Sequence, residues 1–180
     1  MIDLQPFCST NKLRPSLHRP WSAGRWSIAT NGHILVRVPR RDDIAENPSA
    51  PDIKGVVRAL DGVTFRPLRN IDVPPPADSE TECSKCDGRG TEHDCPQCTC
   101  ECEACEGTGV AVPAESVSVG IGGVPFSAKY VRLLQCLPKI EVGADLKVRE
   151  PMPFRFDDGG EGVLMPLFYA LPTHIEEPAP

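Results

Sequence analysis

Residues 83–109 read CSKCDGRGTEHDCPQCTCECEACEGTG, which places seven cysteines and one histidine within 27 positions. The remaining sequence holds two cysteines, Cys8 and Cys136. A stretch this short and this poor in large apolar residues buries too little surface to fold alone, so a cross-link or an ion must hold it. The start MIDLQPFCST lacks the basic region and apolar core of a secretion signal, which makes the cytoplasm the expected compartment. In a reducing compartment, clustered CxxC pairs hold metal more often than they form disulfides. The odd total of nine cysteines also argues against complete pairing.

Cys83-x2-Cys86 and Cys102-x2-Cys105 are separated by fifteen residues, within the range of a four-cysteine zinc site. Each CxxC turn presents two thiolates, and two turns complete a tetrahedral shell with Zn–S of ~2.3 Å. Both turns continue with glycines at the same offsets, CDGRG and CEGTG. Glycine lets the chain fold back after the second ligand, so that backbone N–H groups point at sulfur. Zinc is therefore the expected cofactor.

CSKCDGRG and CEACEGTG match CxxCxGxG, and this pair resembles the repeat of the DnaJ-type cysteine-rich zinc domain. In that family four repeats bind two zinc ions, the outer pair sharing one and the inner pair the other. The resemblance implies that Cys83, Cys86, Cys102 and Cys105 share an ion. The inner pair departs from the pattern as HDCPQCTC, without its glycines. His93, Cys95, Cys98 and Cys100 offer four ligands for a second ion, with Cys95 and Cys98 its foremost members, although eight residues make a tight wrap. One or two zinc ions are thus open. No His-Pro-Asp triplet of a J-domain is present. Cys95-Pro-x-Cys98 also allows a thiol-disulfide oxidoreductase, but crowded thiols in an acidic setting favour metal over a low-pKa nucleophile.

Around this segment, patterning predicts a mixed domain. RWSIATNGHILVRVP (25–39) predicts a hairpin, with Asn31-Gly32 at a type I′ turn. PDIKGVVRALDG (51–62) predicts a helix capped by Asp52, with Ile53, Val56, Val57 and Leu60 on one stripe. VTFRPL (63–68) is then a strand, and DVPPPADSETE (72–82) a proline-rich acidic linker. Beyond the cysteines, 116–126 predicts strand. SAKYVRLLQCLP (127–138) predicts a helix capped by Ser127, with Tyr130, Leu133, Leu134 and Leu137 inward. Short strands follow, joined by turns at 143–145 and 157–162. Trp21 and Trp26 are expected to pack under the hairpin, and His33 to be structural or solvated. The expected fold class is α+β: residues 1–77 and 113–174 form one domain, 78–112 an insertion and 175–180 a frayed tail.

SIATNGHILVRVP, GGVPFSAKYVRLLQCLPKIEV and GEGVLMPL resemble, in order, three segments of bacterial sliding clamps, the DNA polymerase III beta subunits. The arrangement also resembles uncharacterised phage and prophage proteins. A clamp domain presents two helices to DNA, and this resemblance implies a phosphate-facing role for Lys54, Arg58, Lys129 and Arg132; two solvated faces are the alternative. Charge weighs against nucleic acid. Residues 1–77 balance to +4, but residues 78–110 carry two Lys/Arg against nine Asp/Glu, and the whole chain is at −6.

No phosphate-binding loop, nucleophile elbow or dinucleotide fingerprint occurs, and no run approaches the ~18 apolar residues of a membrane span. The sequence therefore points to a non-catalytic zinc-binding protein that offers an acidic finger to a protein partner, with a DNA-replication accessory as the alternative.

Overall fold

The computed structural model describes residues 2–73, 118–168, 174 and 175, together with 82, 83, 85–91, 101, 102, 105, 107 and 109 of the cysteine-rich segment. In chain order the elements are β1 (Trp21–Ala23), β2 (Trp26–Thr30), β3 (Ile34–Pro39), α1 (Lys54–Val57), β4 (Phe65–Pro67), β5 (Ser118–Ile121), β6 (Val124–Ser127), α2 (Ala128–Gln135), β7 (Glu141–Gly143), β8 (Met152–Phe156), β9 (Gly160–Leu164) and β10 (His174–Ile175). Among the described residues the strands form two sheets, one in the order β1-β2-β3-β9-β8-β7-β4 and one in the order β10-β5-β6. Every pairing is antiparallel except β10 with β5.

Alternation along the strands sorts the large sheet into two apolar faces. Ala29, Ile34, Val36, Val38, Met152, Phe154, Phe156 and Leu164 face the main core. That core is closed by Val119, Ile121, Val124 and Phe126 of the small sheet and by Tyr130, Val131 and Leu134 of α2. Trp21, Ile28, Leu35 and Val163 face the other way, onto Ile53, Val57, Ala59 and Leu60. The sheet is thus covered on both sides, with α1 and α2 on opposite faces.

The chain on either side of the cysteine-rich segment contributes to the same sheet. β9 lies between β3 and β8, and β4 pairs with β7. On the main-core face Phe154 and Phe156 stand opposite Gly162 and Gly160. A β-carbon on Gly162 would lie 2.1 Å from the Leu35 carbonyl oxygen, and one on Gly160 would lie 2.1 Å from the Phe156 ring. These glycines make room for two aromatic rings. That corrects the reading of 157–162 as a turn: only Asp157–Gly159 turn, and Gly160 already belongs to β9.

Other expectations are corrected in detail. The 31–34 connection is not a type I′ turn. Thr30 pairs with Leu35, and only Gly32 (φ +95°) among residues 31–33 is left-handed. Asn31 Oδ1 accepts the N–H groups of His33 (2.9 Å) and Ile34 (3.1 Å), and Thr30 Oγ1 donates to the Ile34 carbonyl at 2.6 Å. Side-chain bonding to nearby backbone builds the turn instead.

The 51–62 helix is a single α turn followed by a 3₁₀ turn at Arg58–Leu60. Gly55 and two β-branched valines lower its helix propensity. Asp52 Oδ1 accepts the Lys54 N–H at 3.0 Å. Val56 is exposed and Ala59 packs inward in its place. On α2, Val131 is fully buried while Leu133 is only half-buried, and Ser127 makes no side-chain cap bond.

Two features lie outside the expectations. Trp21 and Trp26 belong to a second hairpin, β1–β2, and the Arg37 guanidinium lies 4.4 Å from the centre of the Trp26 ring. Leu4, Phe7 and Cys8 are buried in the main core from a 3₁₀ turn at Gln5–Phe7. No helix among the described residues is long and apolar enough to cross a membrane.

Candidate metal centre

Cys83, Cys86, Cys102 and Cys105 come together with all four sulfurs within 4.8 Å of one another, each 3% exposed or less. Cys83 Sγ lies 3.9 Å from Cys102 Sγ, and Cys86 Sγ lies 3.7 Å from Cys105 Sγ. A tetrahedron with Zn–S of ~2.3 Å has S···S edges of about 3.8 Å. The donor set and the spacing fit zinc.

The two CxxC turns match in their main hydrogen bonds. Cys86 and Gly88 donate to the Cys83 carbonyl at 3.3 and 3.2 Å; Cys105 and Gly107 donate to the Cys102 carbonyl at the same distances. Gly90 N–H points at Cys86 Sγ and Gly109 N–H at Cys105 Sγ, both at 3.3 Å. The turns also grip each other. Cys83 N–H donates to the Gly109 carbonyl at 3.0 Å, and Cys102 N–H to the Gly90 carbonyl at 2.9 Å.

The glycines allow this twice over. Gly90 (φ +78°) and Gly109 (φ +76°) are left-handed. A β-carbon on Gly90 would lie 2.4 Å from the Gly107 carbonyl oxygen, and one on Gly109 would lie 2.2 Å from that of Gly88. The N–H groups aimed at sulfur stabilise thiolate charge and fix each ligand's direction.

Without an ion the thiols are unequal. Burial is the largest influence on Cys83 and pushes it up, but the Lys85 N–H and the neighbouring thiols outweigh burial and bring it down to about 7. Burial pushes Cys105 up to about 12, against the opposing Gly109 N–H. With an ion bound, the four sulfurs would supply a complete tetrahedral shell. The centre thus has the closed character of a structural site, with no position for a reacting water.

The remaining candidate ligands, His93, Cys95, Cys98 and Cys100, lie outside the described residues. The basic candidates do not converge. Lys54 and Arg58 are exposed on α1 and the turn after it, on the Trp21–Leu35 side of the large sheet. Lys129 and Arg132 sit on α2, which packs on the opposite side. His33 stacks on Tyr130 with ring centroids 5.7 Å apart, in keeping with a structural part.

Sequence reasoning missed the residues that meet the centre from the N-terminal segment. Arg14 Nε donates to Glu101 Oε1 at 3.0 Å, and the Asn11 side chain lies against Gly107. The Arg14–Glu101 pair spans 87 positions, and no local pattern foretells it.

No family model, curated protein or solved structure matches the chain.

Thiol labelling provides a direct check. In zinc-loaded protein, Cys136 is exposed and should react first. Burial, assisted by the Asp3 carboxylate, raises Cys8 to about 11, so roughly a thousandth of it is thiolate at pH ~8. Native alkylation followed by mass spectrometry should therefore add one label when Cys95, Cys98 and Cys100 hold metal, and four when they are free. Labelling of Cys83 or Cys105 ahead of Cys136 would contradict the buried centre.

Proposed function

We propose that this chain is a non-catalytic zinc-binding protein whose cysteine-rich segment acts as an acidic, DnaJ-type zinc finger for a protein partner. In this reading residues 78–112 are an insertion in a sliding-clamp-like domain, and the protein is one of the phage and prophage type. The observation that carries the reading is the cluster of four buried sulfurs within 4.8 Å of one another, two of their separations matching the edge of a zinc tetrahedron. A closed shell organises a surface; it does not bind a substrate.

Charge supports a protein partner over nucleic acid. Residues 78–110 carry nine acidic and two basic residues, and four thiolates around a divalent ion add two further negative charges. The clamp-like part of the reading rests on the three sequence segments alone. The oxidoreductase reading rests on Cys95 and Cys98, which lie outside the described residues.

The test is capture of a partner from the native host by the zinc-loaded chain, with a Cys83→Ser control that lacks the folded finger. Equal capture by both proteins would sink the reading.

DNA binding is expected to be absent. The basic pairs ride on elements covering opposite faces of the large sheet and so do not share one surface. In a mobility-shift titration at ~150 mM salt, where screening acts over about 8 Å, no shift is expected at micromolar protein. A shift that disappears in Lys54→Glu/Arg132→Glu would promote the replication reading instead.

A further inference from the structure

We infer that the cysteine-rich module is braced against the scaffold through Asn11 and Arg14, so that zinc occupancy stiffens residues 9–18 and the turn between β2 and β3. The inference rests on the zinc reading above and adds an internal partner to it.

The position of Glu101 is set by the metal centre. Glu101 directly precedes Cys102 and pairs with Thr91 in an isolated bridge, while Cys102 N–H donates to the carbonyl of Gly90. Gly90 in turn points its N–H at Cys86 Sγ. Glu101 therefore sits one residue from a ligand, on backbone tied to both CxxC turns.

Arg14 carries that position into the scaffold. Its Nε donates to Glu101 Oε1 at 3.0 Å, and its Nη1 reaches the Asn31 carbonyl of the β2–β3 turn at 3.5 Å. Gly32 leaves the space: a β-carbon there would lie 2.5 Å from Arg14 Nη1.

Asn11 forms the second contact. It is buried, and its Oδ1 accepts the Leu13 N–H at 2.9 Å, which fixes the side chain. A β-carbon on Gly107 would come within 2.6 Å of Asn11 Nδ2, so the glycine of the second CxxC turn lets the two surfaces close.

The N-terminal segment is the element with most to gain. Beyond a single 3₁₀ turn at Pro15–Leu17, it is held mainly by hydrogen bonds, among them Ser9 N–H to the Leu17 carbonyl (2.9 Å), Arg14 N–H to the Asn11 carbonyl (3.0 Å), and Asn47 Nδ2 to the Ser16 carbonyl (3.2 Å). Leu13 is exposed and Leu17 is its main apolar anchor. Segments with few buried contacts open first. Because coupling is reciprocal, whatever zinc contributes to this segment, the segment returns to zinc affinity.

Hydrogen exchange on the wild-type chain reads the coupling without a variant. Removing zinc with a chelator under reducing conditions should speed exchange at Arg14, Leu17 and residues 31–34, and leave β8 and β9 unchanged. A charge swap gives a second measure. Arg14→Glu and Glu101→Arg should each speed zinc release to a chromogenic chelator about two- to five-fold, as expected for a partly exposed pair. The double swap should recover most of that loss. Unchanged exchange at residues 9–18 on zinc removal would overturn the inference alone. Single variants without effect, or a double swap no better than either, would overturn it too. A chain that takes up no zinc would overturn the metal reading, and this inference with it.

Discussion

Protein purified in reducing buffer is expected to carry at least one zinc per chain, and Cys102→Ser to carry at least one fewer. The expected effect is large because the ion supplies the folding energy of the module. Structural zinc in small finger peptides contributes about 10–16 kcal/mol in apparent terms near neutral pH. Among the described residues of the module, the buried cluster consists of the four cysteines themselves. Loss of one thiolate leaves three ligands and a hydroxyl, and affinity should fall by well over the ~10–100-fold typical of losing an outer-shell partner. Gly90→Ala provides that milder comparison, since its β-carbon would strike the Gly107 carbonyl and misplace the N–H aimed at Cys86. Metal analysis with chelator competition measures both. Metal-free protein with the four cysteines still ordered, or full zinc in Cys102→Ser, would refute the centre.

The second large effect is expected in the scaffold. Phe154→Ala should cost about 3–5 kcal/mol in urea unfolding at unchanged m, the range for truncating a buried aromatic. Phe154 is fully buried in the main core, pairs across the strand with Val142 and Gly162, and stacks on Phe156 at 6.4 Å. Its neighbours cannot collapse easily into the space, because β8 is held between β7 and β9. Val148→Ala is the contrast: that side chain is 66% exposed, and its loss should stay within about 0.5 kcal/mol. A cost below ~1 kcal/mol for Phe154→Ala would mean that this core is not packed as described.

The metal centre was legible because its determinants are local. Two CxxCxGxG units specify ligand, turn and backbone donor within eight residues each, and the folded turns reproduce each other's bonds. The strands β2, β3 and β8 were legible for the same reason, since alternation and β-branching act over short spans. What escaped depends on partners far along the chain. Nothing within 157–162 says that Gly160 and Gly162 make space for Phe156 and Phe154. Asn11 and Arg14 look like ordinary polar residues until Glu101 and Gly107 arrive beside them. The apolar period of 51–62 suggests a longer helix than forms, because Gly55 and the two valines lower its propensity. A stripe through Leu133 passes over Val131, which is the fully buried residue of that turn.

The placement of β9 between β3 and β8 has a consequence for how the protein is made. Arg37 and Glu161 face each other across that pairing with a separation of 124 positions. At roughly 5–20 residues per second, a ribosome needs on the order of ten seconds to deliver the second partner after the first. During that interval the β1–β3 meander has an open strand edge, the kind of surface that pairs with other chains. The cysteine-rich module emerges in the middle of the wait and can take its ion as soon as Cys105 is out. Metal capture can therefore precede completion of the sheet, which waits for residues 160–164 to pair with β3, a non-local contact of the slow-forming type.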